Sequence, residues 1–257
     1  MFLCKVLIVY AHQSTGSFNA AAKDMAETVL TTQGCKVEVS DLYAMKFKAS
    51  ATAEDITGNG LNHVFMERRP CWHGRRARLS ADITEEHRKL SEAEVVIFQF
   101  PMYWFTVPAI MKGWMDRVLT LGFAYTSEKR YSQGIFKDKK AMLSFTTGSH
   151  ESMFSANGIN GDMNVTLWPL QNGILHYCGF QVLAPQIFWA PPHITSEARE
   201  SMLEAWRTRL QGLLGEIALV LVALLATKWE CGQSDWGSPG TAVPEHKDEH
   251  LDFALLI

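Results

Sequence analysis

The sequence predicts an α/β fold in which a five-stranded parallel sheet carries helices on both faces. Five short runs rich in branched and aromatic residues alternate with longer stretches of helical periodicity. The first of these runs is almost continuously apolar, as a strand buried on both faces must be. The chain has 257 residues, 47% hydrophobic and 20% charged, which allows one large domain or two small ones and excludes a disordered or collagen-like chain.

Residues 3–11, with Val6, Leu7, Ile8 and Val9 in succession, read as a buried central strand ending in a polar loop. Ser17, Phe18 and Asn19 open a helical pattern that runs to Thr32 and stops at Gln33 and Gly34. Residues 36–40 alternate and make the second strand, and residues 94–100 make a third, cut by Pro101. Residues 107–121 are helical, with Pro108 suited to a first turn. Residues 141–146 form the fourth strand, ending in Thr147 and Gly148. An apolar helix over 167–178, a fifth strand over 181–187 and a capped helix over 196–214 complete the alternation. Five such strands suit the flavodoxin-like order 2-1-3-4-5.

Two stretches break this pattern. Residues 67–78 are irregular and hold Arg68, Arg69, Arg75, Arg76 and Arg78, which read as a solvated loop, with phosphate binding the lesser alternative. Residues 1–214 therefore read as the domain, and 215–257 as a divergent C-terminal extension, disordered over 232–250.

The net charge of −3 leaves no electrostatic footprint for nucleic acid or an anionic membrane. The longest apolar run, 217–226, is too short for the roughly 20 residues of a membrane span. No signal-peptide cleavage pattern follows the first strand, and the 5 cysteines (Cys4, Cys35, Cys71, Cys178, Cys231) are odd in number and scattered. They read as reduced thiols of a cytoplasmic protein. His63, His73 and His87 read as isolated, exposed histidines.

In open α/β sheets ligands bind beyond the carboxyl ends of the strands. The loop after the first strand, from His12 to Asn19, is rich in hydroxyls and leads into a helix, which suits a phosphate or, equally, a simple cap by Ser17. After the third strand, Pro101, Met102, Tyr103, Trp104 and Phe105 include three consecutive aromatics, more than one face of a strand can bury, and favour a wall for a flat ligand. Thr146, Thr147, Gly148 and Ser149 offer close backbone approach. Together they describe a planar, phosphorylated cofactor, for which a flavin is the natural candidate. No G-x-G-x-x-G, P-loop or G-x-S-x-G stands where dinucleotide, ATP or hydrolase chemistry needs one.

With these loops in place the sequence resembles the NAD(P)H quinone dehydrogenase family, which comprises the DT-diaphorase branch and a dihydronicotinamide-riboside branch. The matching strings include Lys5 to His12, Ser17-Phe18-Asn19, Ser40 to Met45, Val96 to Pro101, Trp104-Phe105, Val107 to Asp116, Thr146-Thr147-Gly148, Gly161-Asp162 and Leu167 to Gln186. The resemblance implies a homodimer with FAD at the subunit interface. Hydride passes from a reduced nicotinamide donor to the flavin and then to a quinone acceptor, in a ping-pong scheme. By position, His12, Ser17, Phe18, Asn19 and Ala20 fall at the FAD pyrophosphate. Pro101 to Phe105 and Thr146 to Ser149 flank the isoalloxazine, and Arg199 meets the adenosine part. Trp104, Phe105, Tyr125, Thr126, Gly148, Phe154, Asn160, Tyr177 and His193 outline the substrate pocket, several of them facing the partner's flavin.

The departures from the family are specific. Gly148, Phe154 and Asn160 occupy the catalytic positions, but Phe154 replaces a tyrosine, and Asn160 is the riboside branch's substitute for a histidine. Ser149 replaces a second glycine and narrows the pocket. The riboside branch's structural zinc needs two histidines four apart and a cysteine; here Asn172 stands with His176, Cys231 is the remaining candidate, and no metal is expected. The arginine-rich stretch replaces a cover over the adenine, so weaker FAD binding is expected, and the extension matches neither branch, leaving the donor open. The departures also motivate a rival reading, a flavin-binding interaction protein with vestigial activity; a one-electron carrier fits the pocket aromatics less well.

Overall fold

The computed structural model describes residues 4–57 and 78–219. In chain order it contains β1 (Lys5–Tyr10), α1 (Phe18–Thr32), β2 (Lys36–Asp41), β3 (Ile56–Thr57), β4 (Arg78–Leu79), α2 (Ala81–Glu92) and β5 (Val95–Pro101). α3 (Ala109–Val118), β6 (Lys140–Thr146), α4 (Met163–Leu170), β7 (Gln181–Val182), β8 (Gln186–Phe188) and α5 (Ser196–Gly212) follow. The main sheet is parallel, in the order β2-β1-β5-β6-β7, with β8 also on β6. Every residue of β5 is buried, as are five of the six in β1, so both faces are covered.

The expectation of five strands is corrected at the fifth. It is two short strands, and the register against β6 slips by one residue between Val182 and Gln186. Pro185 lies in this bulge and has no N–H to give the ladder. The Arg209 guanidinium takes the orphaned carbonyls, bonding Ala184 O at 2.6 Å and Pro185 O at 3.0 Å. β3 and β4 form a separate antiparallel ribbon that the sequence pattern does not show. The apolar helix expected over 167–178 starts earlier, at Met163 with Asp162 as its N-cap, and widens to π geometry over Gln171–His176. The helix expected over 107–121 is shorter, Ala109–Val118.

Small residues let α1 lie close to the sheet. Ala20, Ala22 and Ala26 are buried, and the Trp206 indole of α5 donates to Ala22 O at 3.0 Å. α1 ends in a Schellman-type turn: Cys35 N bonds Leu30 O, and Gly34 takes φ +86°.

α2 was not evident in the sequence because its buried face is Ile83, Glu86 and Leu90, with a carboxylate in the middle. Glu86 is tolerated there because Ser40 Oγ (2.7 Å), Lys89 Nζ (2.7 Å) and Trp114 Nε1 (2.8 Å) all donate to it. His87, expected to be exposed, is half-buried instead. Its ring stacks on Phe123 at 3.6 Å and donates Nε2–H to Val118 O, and burial lowers its pKa.

A second buried charge ties α3 to the segment before β3. Arg117 is 1% exposed and donates to Asp55 at 2.7 and 3.1 Å, to Asp82 at 2.8 Å and to Lys48 O at 2.8 Å. Burial pushes the Asp55 carboxyl up, but the Arg117 guanidinium outweighs it and holds the carboxyl below its usual range. Arg117→Ala is expected to cost about 3–5 kcal/mol in urea unfolding, because it leaves Asp55 buried and uncompensated. A carboxylate with a depressed folded pKa stabilises above its unfolded value of about 3.9 and loses that contribution as pH falls further. The wild-type advantage over Arg117→Ala should therefore shrink only below about pH 4.

Among the described residues no helix is long and apolar enough to cross a membrane. The segment 67–77, Cys71, Cys231, His63, His73 and the extension from 220 onward, including the expected disorder over 232–250, lie outside the described residues.

Candidate active site

Three loops meet beyond the carboxyl ends of β1, β5 and β6, and a chain of buried side chains joins them. Ser144 Oγ donates to Gln99 Oε1 (2.7 Å), Gln99 Nε2 to Asn19 Oδ1 (2.9 Å), and Asn19 Nδ2 to Thr146 Oγ1 (2.9 Å). Asn19, Gln99, Ser144 and Thr146 are all buried. The chain fixes the start of α1 against both central strands, and Met102 N bonds Thr146 O at 2.8 Å to join the second and third loops. Gln99 and Ser144 were missed as site residues; polar side chains inside an otherwise apolar buried strand were the available signal.

In the first loop Ser17 Oγ accepts from Ala20 N at 3.1 Å and donates to Ser14 O at 2.9 Å, so its hydroxyl serves as the N-cap. The N–H groups of Phe18 and Asn19, first in the helix, have no intrahelical acceptor. His12 Nδ1 accepts from Ser14 N at 2.9 Å, which leaves the ring proton on Nε2.

The second loop is a tight turn. Tyr103 N bonds Thr106 O (3.0 Å), Thr106 N bonds Tyr103 O (3.1 Å), and both central residues have positive φ, +48° at Trp104 and +64° at Phe105. This is type I′ geometry, which normally calls for Asn or Gly. Holding two aromatic residues there costs about 1–3 kcal/mol each. The outcome is a Trp104 side chain 94% exposed, with Tyr103 and Phe105 also exposed. A strained turn that presents aromatic surface to solvent has no role in the core.

The third loop is pinned from both sides. Thr147 N bonds Phe188 O, Ala190 N bonds Thr147 Oγ1, and Thr147 Oγ1 donates to Ser149 O. Gly148 is exposed, and a Cβ placed on it would meet no heavy atom within 4 Å. Phe154 is buried between Phe105 (5.9 Å between ring centroids) and Trp189 (5.7 Å). Asn160 N bonds Met153 O at 2.9 Å, which sets it beside Phe154. This return is possible because Gly158 packs on Met153 where a Cβ would clash at 2.5 Å. His193 is exposed, its ring 6.3 Å from His150.

The other expected residues have partners of their own. Tyr125 and Tyr177 pack at 5.4 Å, and Tyr131 stacks edge-on against Tyr177 and His176. Burial raises the Tyr125 pKa, with Tyr177 adding to the effect. The Thr126 hydroxyl accepts from Lys129 N at 2.9 Å and so closes its own turn. Arg199 donates to Ile194 O (2.8 Å) and Pro191 O (3.3 Å), holding the His193 loop. His176 Nδ1 lies 3.0 Å from Asn172 Oδ1. Among the described residues no three His, Cys, Asp or Glu side chains are grouped to hold a metal.

Comparisons with known proteins fit this geometry. The family model described as the flavodoxin-like fold matches residues 4–210. The ribosyldihydronicotinamide dehydrogenase [quinone] of Pongo abelii is 51% identical over 216 residues, 82% of this chain and 93% of that protein. The NAD(P)H dehydrogenase [quinone] 1 of Cavia porcellus is 47% identical over 220 residues, 84% of this chain and 80% of that protein. A solved structure from Klebsiella pneumoniae is 37% identical with a TM-score of 0.72, covering 84% of this chain and 86% of that one. The parallel sheet, the three loops at its carboxyl edge and these similarities together place the chain in the family of the ribosyldihydronicotinamide and NAD(P)H quinone dehydrogenases.

Proposed function

We propose that the chain is a FAD-dependent oxidoreductase that reduces quinones by two electrons, with a reduced nicotinamide as donor. The observation that carries this reading is the strained Trp104–Phe105 turn, exposed beside a helix start and an open glycine. This donor set fits a flat ring with a phosphate tail. The α1 N–H groups suit the pyrophosphate, Trp104 and Phe105 offer aromatic faces, and Gly148 leaves room at the opposite edge. When bound, the flavin supplies a ring that takes hydride from the donor and gives it to the quinone.

The chain's own groups bind, orient and exclude water. The Ser144–Gln99–Asn19–Thr146 chain fixes the spacing of the loops. Phe154 and Trp189 form an apolar wall behind Phe105, and the Asn160 backbone is tied to Met153, the residue before Phe154. Arg199 shapes the loop bearing His193, and contact with the adenosine part remains its proposed second role.

We further propose a homodimer in which Tyr125, Thr126 and Tyr177 face the partner's flavin. Trp104 (94%), Ile159 (86%) and Val165 (59%) are large apolar side chains left exposed and available to such an interface. NADH, NADPH and dihydronicotinamide riboside are the donors to compare. Initial rates with menadione as acceptor should give parallel double-reciprocal lines, since one pocket serves donor and quinone in turn. Intersecting lines would contradict the shared pocket. A flavin-binding protein with little turnover is the second reading, favoured by the missing hydroxyl at Phe154.

A further inference from the structure

We propose that Cys4 and Cys35 are a modification site, a dithiol that takes an intramolecular disulfide from a low-molecular-weight disulfide of the oxidised glutathione class. The two sulfurs are 2.7 Å apart, well inside the contact distance of unbonded sulfur atoms. The register agrees. β1 and β2 pair in parallel from Lys5 against Lys36, so Cys4 and Cys35 are the pair immediately before it, and Lys36 N bonds Cys4 O at 2.9 Å. Neighbouring strands lie about 4.7–4.9 Å apart, within the roughly 4.4–6.8 Å between Cα atoms that a disulfide accepts. Nothing in the sequence signals the pair, because 31 residues separate its members.

Both thiols are buried, and Cys4, 6% exposed against 1% for Cys35, is the one nearer solvent. It lines an open depression of about 330 Å³ with Glu94, Val95, Asp138, Lys140, Gln181 and Leu214, at the amino ends of the strands, away from the aromatic turn. The Cys4 thiolate attacks one sulfur of the oxidant, forming a mixed disulfide and releasing one glutathione, which takes up the proton that Cys4 lost. The Cys35 thiolate then attacks the Cys4 sulfur and expels the second glutathione, which takes the Cys35 proton. Two protein thiols are oxidised by two electrons, and one glutathione disulfide is reduced to two thiols. Burial and the adjacent Cys35 push the Cys4 thiol up to about 12, so exchange is slow and is followed over many hours. The product would lock the segment that carries β1, the first site loop and α1.

The test incubates the reduced full-length protein with oxidised glutathione, alkylates it in denaturant, and maps tryptic peptides. The expected result is a loss of about 2 Da, a cross-link between the peptides of residues 1–5 and 24–36, and an unfolding midpoint raised by several degrees. Dithiothreitol should reverse all three, and Cys35→Ser should abolish the cross-link. Recovery of Cys4 and Cys35 as alkylated thiols, as separate glutathione adducts, or linked to other cysteines would overturn the proposal.

Discussion

Gly148→Leu is expected to weaken flavin binding about 10- to 100-fold while leaving the fold intact. The two effects separate because Gly148 stands at the end of β6 facing open space. A Cβ there meets no heavy atom within 4 Å, and the backbone is outside the left-handed region that would strain a side chain. The leucine side chain would instead enter the volume assigned to the ring of the cofactor. Filling a close-packed site costs about 1–3 kcal/mol or more, so the flavin dissociation constant should rise about 10- to 100-fold or beyond. The thermal midpoint of the flavin-free protein should stay within about 2 °C. Flavin fluorescence titration and thermal unfolding read the two halves. Retained flavin at wild-type affinity would move the ring away from Gly148.

Phe154→Tyr is expected to accelerate flavin reduction, by up to about 10²–10³-fold if the hydroxyl reaches the developing charge. Phe154 sits between Phe105 and Trp189, next to Asn160, and its ring offers packing but no hydrogen-bond donor. A phenol adds a donor at a position where the family resemblance implies a tyrosine, with almost no change in the apolar part. The reductive rate is measured by stopped flow with NADH and with dihydronicotinamide riboside. An unchanged rate with both donors would show that the missing hydroxyl does not limit the reaction.

The sheet was legible because β1, β5 and β6 are near-continuous apolar runs bounded by polar loops, and that pattern has few alternatives in an alternating chain. The positions of the three site loops followed from the same pattern. What the sequence concealed depended on contacts between distant residues. Glu86 sits in the buried face of α2 only because Ser40 and Trp114 satisfy it, and no local pattern shows that. The fifth strand reads in the sequence as one run through Pro185, whereas the one-residue slip on β6 is accompanied by Arg209, from a distant helix, taking two carbonyls. The run of aromatics at 103–105 was recognised as exposed surface, whereas its cause, a type I′ turn made by residues that rarely adopt it, appears only in the backbone angles. Gln99 shows the reverse: its polarity in a buried strand was visible, but its partners, 80 and 45 residues away in sequence, were not.

The most direct measurement is the flavin spectrum of the purified protein through one complete cycle. FAD should copurify or bind on addition, its visible absorbance should bleach on mixing anaerobically with a reduced nicotinamide, and stoichiometric menadione should restore it. The expected ratio is one quinone consumed per flavin reoxidised. A protein that binds no flavin, or whose bound flavin neither NADH, NADPH nor dihydronicotinamide riboside bleaches, would contradict the proposed function.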